Sequence, residues 1–248
     1  MTRRPPDPAL AAELNARHLR SSARDILEAA VAAFHPALAC ACSLGLEDAV
    51  LVDLIAGLAV RPRIFFLDTG RMHQETYDTL AALRARYGLA IECVFPRREA
   101  VEALVAAKGP NSFYETVDNR LECCRIRKVE PLQRALAGTK AWITGLRREQ
   151  GPTRAEVEPF QWDPTGPGRV KVNPLASWSL DQVWQHVRAH AVPYNPLHDQ
   201  GYPSIGCAPC TRAVLPGEDV RAGRWWWERP ELRECGLHRR PSAVGSGR

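Results

Sequence analysis

The stretch Ala37-Leu38-Ala39-Cys40-Ala41-Cys42-Ser43-Leu44-Gly45-Leu46-Glu47-Asp48 decides the reading of this chain. Six small or apolar residues end abruptly in a serine-glycine turn, and two carboxylates open the next segment. That is a short buried strand, a tight turn and the first turn of a helix, where acidic groups suit the positive end of the helix dipole. The pattern recurs downstream. Arg63 to Leu67 reads as a strand, followed by Asp68-Thr69-Gly70 and a helix from about His73 to Tyr87. Ile91 to Phe95 is a third strand, leading to a helix near Glu99 to Ala107. Ala141 to Thr144 is a fourth strand, ending in Gly145 and an arginine-rich loop, and a helix spanning Cys123 to Leu136 precedes it. One or two helices between Pro8 and Phe34 come before the first strand. Short strands alternating with helices predict an α/β fold with a doubly wound, mostly parallel sheet. In such sheets ligands bind at the carboxyl ends of the strands. The loops Ser43–Asp48, Asp68–Arg71 and Gly145–Arg154 all follow strands and should gather on one edge.

Composition narrows the classes. The chain has 248 residues, 45% of them hydrophobic and 25% charged, enough for a sizeable core without staples. The apolar region from Ala37 to Val60 is broken by Glu47, Asp48 and Asp53, so no stretch reads as a membrane span. Arg3 and Arg4 are followed by polar residues rather than an apolar signal segment, and the chain is expected in the cytoplasm. The net charge is only +5, and no basic run or aromatic-interleaved basic stripe points to nucleic acid. Of 33 basic residues four are lysines, and arginine forks suit phosphate and sulfate. Beyond Pro193 the chain becomes rich in proline and glycine. We expect a nucleotide-binding body over residues 1–196, an irregular arm over 197–238, and a disordered tail over 239–248.

Eight cysteines in a reducing compartment direct attention to metal or redox chemistry. Cys123-Cys124 and Cys207-Ala208-Pro209-Cys210 make a CC…CxxC set. Four thiolates are the complement of a 4Fe–4S cluster and would also satisfy zinc. Adjacent cysteines fit poorly on one small ion, which favours the cluster; free core cysteines are the plain alternative. Lys128, four residues after Cys124, shares its helical face and can place a cation near an anionic centre. Cys40, Cys42 and Cys93 sit in apolar strands and read as core residues.

Four further motifs are weaker alone. Ser43 to Asp48 offers backbone N–H groups to an oxyanion, or is a plain capped connection. The run from Thr144 to Arg154 carries paired arginines that suit an anion, or form a solvated loop paired with Glu149. Arg221-Ala222-Gly223-Arg224-Trp225-Trp226-Trp227-Glu228 combines arginines that clamp an anion or stack on rings with tryptophans that cannot all face one way. Glu234-Cys235-Gly236-Leu237-His238 places a thiol near the end of the chain, beside a histidine that favours the thiolate.

In this order, the four-cysteine set, the GRWWWE block and the ECGLH tail resemble the iron–sulfur branch of the phosphoadenylylsulfate reductase family, the assimilatory adenylylsulfate reductases. The resemblance covers about Cys40 to His238. It implies an adenine nucleotide alpha hydrolase-like fold with a modified PP-loop, one 4Fe–4S cluster on Cys123, Cys124, Cys207 and Cys210, and Cys235 as the catalytic nucleophile. Its thiolate would attack the sulfur of adenosine 5′-phosphosulfate, and thioredoxin or a glutaredoxin would release sulfite from the adduct. By the same resemblance Ser43 and Gly45 belong to the phosphate-binding loop, and Leu67 and Gly145 line the nucleotide pocket. Arg154, Arg221 and Arg224 meet phosphate and sulfate, Lys128 tunes charge near the cluster, and His238 helps close the tail. A homo-oligomer stays open.

The chain departs from the family at Cys42, where relatives often carry a hydroxyl residue, and in the ten residues after His238. The rival readings are reduction of the 3′-phosphorylated nucleotide, a zinc or Fe–S module that binds nucleic acid, and an ATP-pyrophosphatase-like enzyme. The last would want a loop richer in glycine than Ser43–Asp48.

Overall fold

The computed structural model describes residues 6–151 and 154–229. Six strands form one sheet in the order β3-β2-β1-β4-β6-β5. They are β1 (Leu38–Cys42), β2 (Arg63–Leu67), β3 (Ile91–Val94), β4 (Ala141–Ile143), β5 (Phe160–Asp163) and β6 (Arg169–Val172). All pair in parallel except β5, which lies antiparallel to β6 at one edge. The expected α/β doubly wound sheet is therefore present, widened by a hairpin, β5–β6, that the apolar pattern of the sequence does not announce.

Strand alternation sorts the core into two layers. Leu38, Cys40 and Cys42 of β1 face one side, where they pack with α1 (Pro8–His18), α2 (Ala23–Phe34), α3 (Leu46–Ala56), α4 (Gln74–Tyr87) and α8 (Leu180–Ala189). Ala39 faces the other side with Phe65, Trp142 and the helix α7 (Glu130–Ala135), while Ala41, Leu67 and Val94 pack half-buried beside them. Cys40 and Cys42 are buried as expected, but Cys93 is exposed. It lies on β3, the edge strand at the end of the sheet away from β5, which has a neighbouring strand on one side only.

Local chemistry sets the helix starts. Asp7 caps α1 and Pro8 opens it; Ser22 and Asp25 form a reciprocal capping box on α2, and Ser179 with Gln182 does the same for α8. The remaining helices are α5 (Arg98–Lys108) and α6 (Val117–Cys124). The helix expected over Cys123 to Leu136 starts earlier, at Val117, and is not uniform: a π-helical turn at Arg125–Val129 joins α6 to α7. No described helix is long and apolar enough to cross a membrane.

Candidate functional site

Three loops at the carboxyl ends of the strands meet, as the strand pattern predicts. After β1, Leu44 takes a left-handed conformation (φ 63°) with its side chain buried, which turns the chain sharply into α3. Gly45 then caps α3 without a side-chain bond, leaving the first N–H groups of the helix available to an anion. Ser43 donates from both its N–H and its hydroxyl to Asp48 Oδ2 at 2.5 Å. Burial pushes the Asp48 carboxyl up to about 6 despite those two donors.

The loop after β4 presses against this turn. A Cβ at Gly145 would stand 2.5 Å from Asp48 Oδ1 and 3.0 Å from Glu47 Cβ, so only glycine fits the approach. Arg147 fastens the two loops through a 2.9 Å ion pair with Glu47. Gln150 braces the loop from within, bonding Gly145 O and the Arg147 N–H and accepting from Arg154 Nη1. Arg154 lies near enough to Lys171 of β6 to depress its ammonium; that pKa falls to about 8, burial being the larger cause. Leu67, at the end of β2, faces the layer that holds Ala41 and Val94. Ser43, Gly45, Leu67 and Gly145 thus occupy one edge of the sheet.

The cysteines gather beside the loop after β2. Thr69 Oγ1 stands 3.2 Å from Cys207 Sγ, and the Ala208 N–H donates to Arg71 O at 2.8 Å, docking the CxxC turn on that loop. Arg127, on the π-turn, donates to Thr69 O at 2.7 Å and places its charge beside Cys123. Cys123, Cys124, Cys207 and Cys210 line one enclosed space together with Arg71, Arg120, Arg127 and Lys128. Phe113 and Trp225 pack around Cys207 and Cys210.

Thiol chemistry tests whether a metal group fits here. Burial pushes the Cys210 thiol up to about 12, while Lys128 and Arg224 pull the other way. Burial also raises Cys123, opposed chiefly by Arg127. Sulfurs so placed become thiolates only with a strong cation in contact, which coordination supplies. Donor spacing separates the candidates. Thiolates on one tetrahedral zinc stand about 3.8 Å apart, given Zn–S bonds of about 2.3 Å. No three of these sulfurs fall within 4.8 Å of one another; among the described residues only Asp53, His186 and His190 do so. Four thiols lining one space are the complement of a 4Fe–4S cluster.

The arm closes this space from outside. Thr211 and Arg224 form an antiparallel bridge, and Arg212 N donates to Gly223 O at 3.0 Å. Arg120 on α6 is fully buried and meets Glu228 in a two-pronged ion pair at 2.9 and 2.6 Å. The guanidiniums of Arg120 and Arg224 approach the Trp225 ring at 4.9 and 4.7 Å. Arg224 is therefore buried by stacking and also bonds Ser204 and Ile205, whereas Arg221 lies half-buried in the preceding turn, its N–H on Asp219. Cys235 and His238 lie outside the described residues.

Thr69, Arg127, Arg120 and Glu228 belong to none of the roles expected from the sequence. For Arg127 a signal exists: it stands four residues after Cys123, the same spacing that selects Lys128 from Cys124. Nothing in the sequence pairs Arg120 with a residue 108 positions away.

Comparison with known proteins agrees with this geometry. Residues 37–213 match the family described as phosphoadenosine phosphosulfate reductase domain. The adenosine 5′-phosphosulfate reductase of Allochromatium vinosum is 56% identical over 203 residues, 82% of this chain and 79% of that protein. The protein of the same name from Burkholderia cepacia is 51% identical over 214 residues, 86% and 85% of the two chains. A crystal structure of phosphoadenylyl-sulfate reductase from Candida auris, a phosphate complex, superposes with a TM-score of 0.71 at 29% identity, covering 84% of this chain and 98% of that one. Candida glabrata FMN adenylyltransferase shares the fold alone, with a TM-score of 0.52 at 16% identity. With a match of this extent, and a glycine-capped strand–helix turn at the sheet edge, the chain belongs to the phosphoadenosine phosphosulfate reductase family.

Proposed function

We propose that this protein reduces adenosine 5′-phosphosulfate to sulfite and AMP in assimilatory sulfate reduction, with Cys235 as nucleophile. The observation that carries the reading is the placement of four cysteines and four cationic side chains, Arg71, Arg120, Arg127 and Lys128, around one space beside the loop after β2. The relatives at 56% and 51% identity bear the name of that activity.

Chain geometry supports the assignment of Cys235. Glu228 is pinned to Arg120 beside Cys124, and Cys235 follows Arg229 by six residues, or about 21 Å of fully extended chain. Covalent reach therefore allows this thiol to come to the site. Its thiolate attacks the sulfur of the sulfuryl group, the S–O bond to the nucleotide breaks, and AMP leaves with the electron pair. A thiolate of thioredoxin, or of a glutaredoxin, then attacks Cys235 Sγ and expels sulfite. The second thiol of the reductant resolves the mixed disulfide, so the two electrons come from its dithiol.

In this reading the free N–H groups at the start of α3, with Ser43 and Gly45, bind the nucleotide phosphate, and Leu67 and Gly145 border the adenosine. Arg154, Arg221 and Arg224 neutralise the phosphosulfate, which lowers the repulsion felt by an incoming thiolate. His238 closes the tail. Cys123, Cys124, Cys207 and Cys210 would hold one 4Fe–4S cluster, a group that supplies local charge and order beside the substrate. We assign residues 1–196 to the nucleotide-binding body and 197–238 to the arm, in a cytoplasmic enzyme.

The test is the intact mass of anaerobically prepared protein mixed with adenosine 5′-phosphosulfate and no reductant. One added sulfonate, mapped to Cys235 and removed by thioredoxin, is expected, and Cys235→Ser should show none while keeping its iron. Turnover by Cys235→Ser would overturn the nucleophile. A parallel sample with the 3′-phosphorylated nucleotide separates the two substrates; the name of the Candida auris structure makes that the second reading.

A further inference from the structure

The helices that start at the functional edge end at a second group of donor atoms. Asp53 lies near the carboxyl end of α3, and His186 and His190 stand four residues apart at the end of α8. One carboxylate oxygen and two imidazole nitrogens of these residues all lie within 4.8 Å of one another. His186 Nε2 is 2.7 Å from Asp53 Oδ2. The other carboxylate oxygen accepts from Tyr87 Oη at 2.9 Å, at the last residue of α4, which fixes the plane of the carboxylate. Asp53 stands seven residues into α3, so the group lies about 10 Å along that helix from the turn that faces the nucleotide.

A hydrogen bond between Asp53 and His186 would by itself tie α3 to α8. It does not explain His190, which is exposed yet stacked on His186 with ring centroids 4.2 Å apart and planes at 26°. Two imidazoles one helical turn apart present their nitrogens to one point, as two-histidine metal sites on helices do. Nitrogen and oxygen donors on a tetrahedral ion stand about 3.4 Å apart, from bonds of about 2.1 Å. The His186–Asp53 pair, now at 2.7 Å, would open to that spacing while the His190 nitrogen lies within 4.8 Å of both, and the exposure of His190 leaves an entry path. Arg86 is the neighbouring cation. Its guanidinium is engaged by His190 O at 2.6 Å and Tyr87 Oη at 3.2 Å.

We propose that Asp53, His186 and His190 bind a divalent transition-metal ion of the zinc type, with water completing its coordination and Tyr87 orienting the carboxylate. Two imidazoles and one carboxylate suit such an ion better than magnesium or calcium, which prefer oxygen alone. The bound ion would fasten α3, α4 and α8 together at the edge remote from the cysteines. The inference is independent of the proposed reaction.

The experiment uses the full chain prepared anaerobically with its iron content measured. Equilibrium dialysis against micromolar Zn²⁺ should load one ion per chain. His190→Ala should bind at least about tenfold more weakly, and Tyr87→Phe about tenfold more weakly, each with unchanged iron. Co²⁺ in place of Zn²⁺ should show a nitrogen–oxygen ligand field without thiolate charge-transfer bands. Equal binding by wild type and His190→Ala overturns the site, and thiolate bands in both would assign the ion to the cysteines. Absence of binding at 100-fold higher zinc, in protein that keeps its iron, overturns it as well.

Discussion

Replacing Glu228 by leucine should release the arm from α6 without unfolding the sheet. Arg120 and Glu228 are 0% and 3% exposed at their side chains, and both prongs of the ion pair are short, 2.9 and 2.6 Å. Removing one partner leaves a charge in a dry site, at a cost of about 3–5 kcal/mol. At about 1.4 kcal/mol per factor of ten, the opening equilibrium of the arm rises roughly 100- to 4,000-fold. Arg120 stands on the same helix as Cys123 and Cys124, three and four residues ahead, so the loss falls on the wall of the cysteine site. Arg120→Lys should not restore the arm, because an ammonium cannot reproduce the planar two-pronged contact or the approach to Trp225.

Native-state hydrogen exchange reads this directly. The amide of Ala208 is bonded across to Arg71 O in the loop after β2, and it exchanges only when the arm opens. Glu228→Leu and Arg120→Leu should each accelerate it by the factor above, while amides of β1 and β2 hold their rates. The double variant should be less damaged than either single one, since two apolar side chains leave no buried charge. Single-variant effects under about 1 kcal/mol, or a double variant equal to the sum of the singles, would refute the argument that the pair holds the arm.

The other predictions concern the edge of the sheet and the arm. Burial raises the Asp48 carboxyl from 3.8 to about 6. The folded state then binds more protons than the unfolded chain between those values, and stability falls as pH rises through that window, by up to about 3 kcal/mol. Asp48→Asn, which keeps an acceptor for Ser43, should flatten the slope between pH 4 and 6 in urea titrations; an unchanged slope would discard the cause. A Cβ at Gly206 would overlap the Arg224 guanidinium, so Gly206→Ala should displace it. Loss of one charge-assisted contact to the substrate is worth about 1.5–3 kcal/mol, hence a drop of roughly 10- to 150-fold in kcat/KM with iron retained. Wild-type kcat/KM in Gly206→Ala would remove Arg224 from substrate binding. Cys207→Ala should lose its iron during anaerobic purification; full iron content would take that residue out of the ligand set.

The elements that could be read from the sequence are those whose own residues carry an unbroken local pattern, however distant their partners. β1, β2, β3 and β4 are short apolar runs that end in turn chemistry, and their observed limits differ from the expected ones by at most a residue at either end. β6 escaped because its two faces differ: Val170 and Val172 enter the main core, while Arg169 and Lys171 face the other layer and break the apolar run. Lys171 tolerates that place by lying over the Trp142 ring at 4.8 Å, a contact made across strands. The Ser179–Gln182 capping box, followed by apolar Leu180, Val183, Trp184 and Val187 at helical spacing, marks α8 in the sequence.

The π-turn shows why the cysteine site was legible only in its donors. Residue types announce a thiol set, but backbone winding decides which side chains reach it. Arg125–Val129 follows Cys124 directly and winds more loosely than an α-helix, and its Arg127 both sets a charge beside Cys123 and reaches back to Thr69 O. Thr69 in turn touches Cys207. One chain of contacts thus runs from the tandem cysteines through the loop after β2 to the CxxC turn, and the Arg120–Glu228 pair closes it on the same face of α6 as the tandem cysteines. Each link is a contact between distant segments. A perturbation at any of them should therefore be felt first as a loss of alignment between the cysteines and the sheet edge, before it is felt in the sheet.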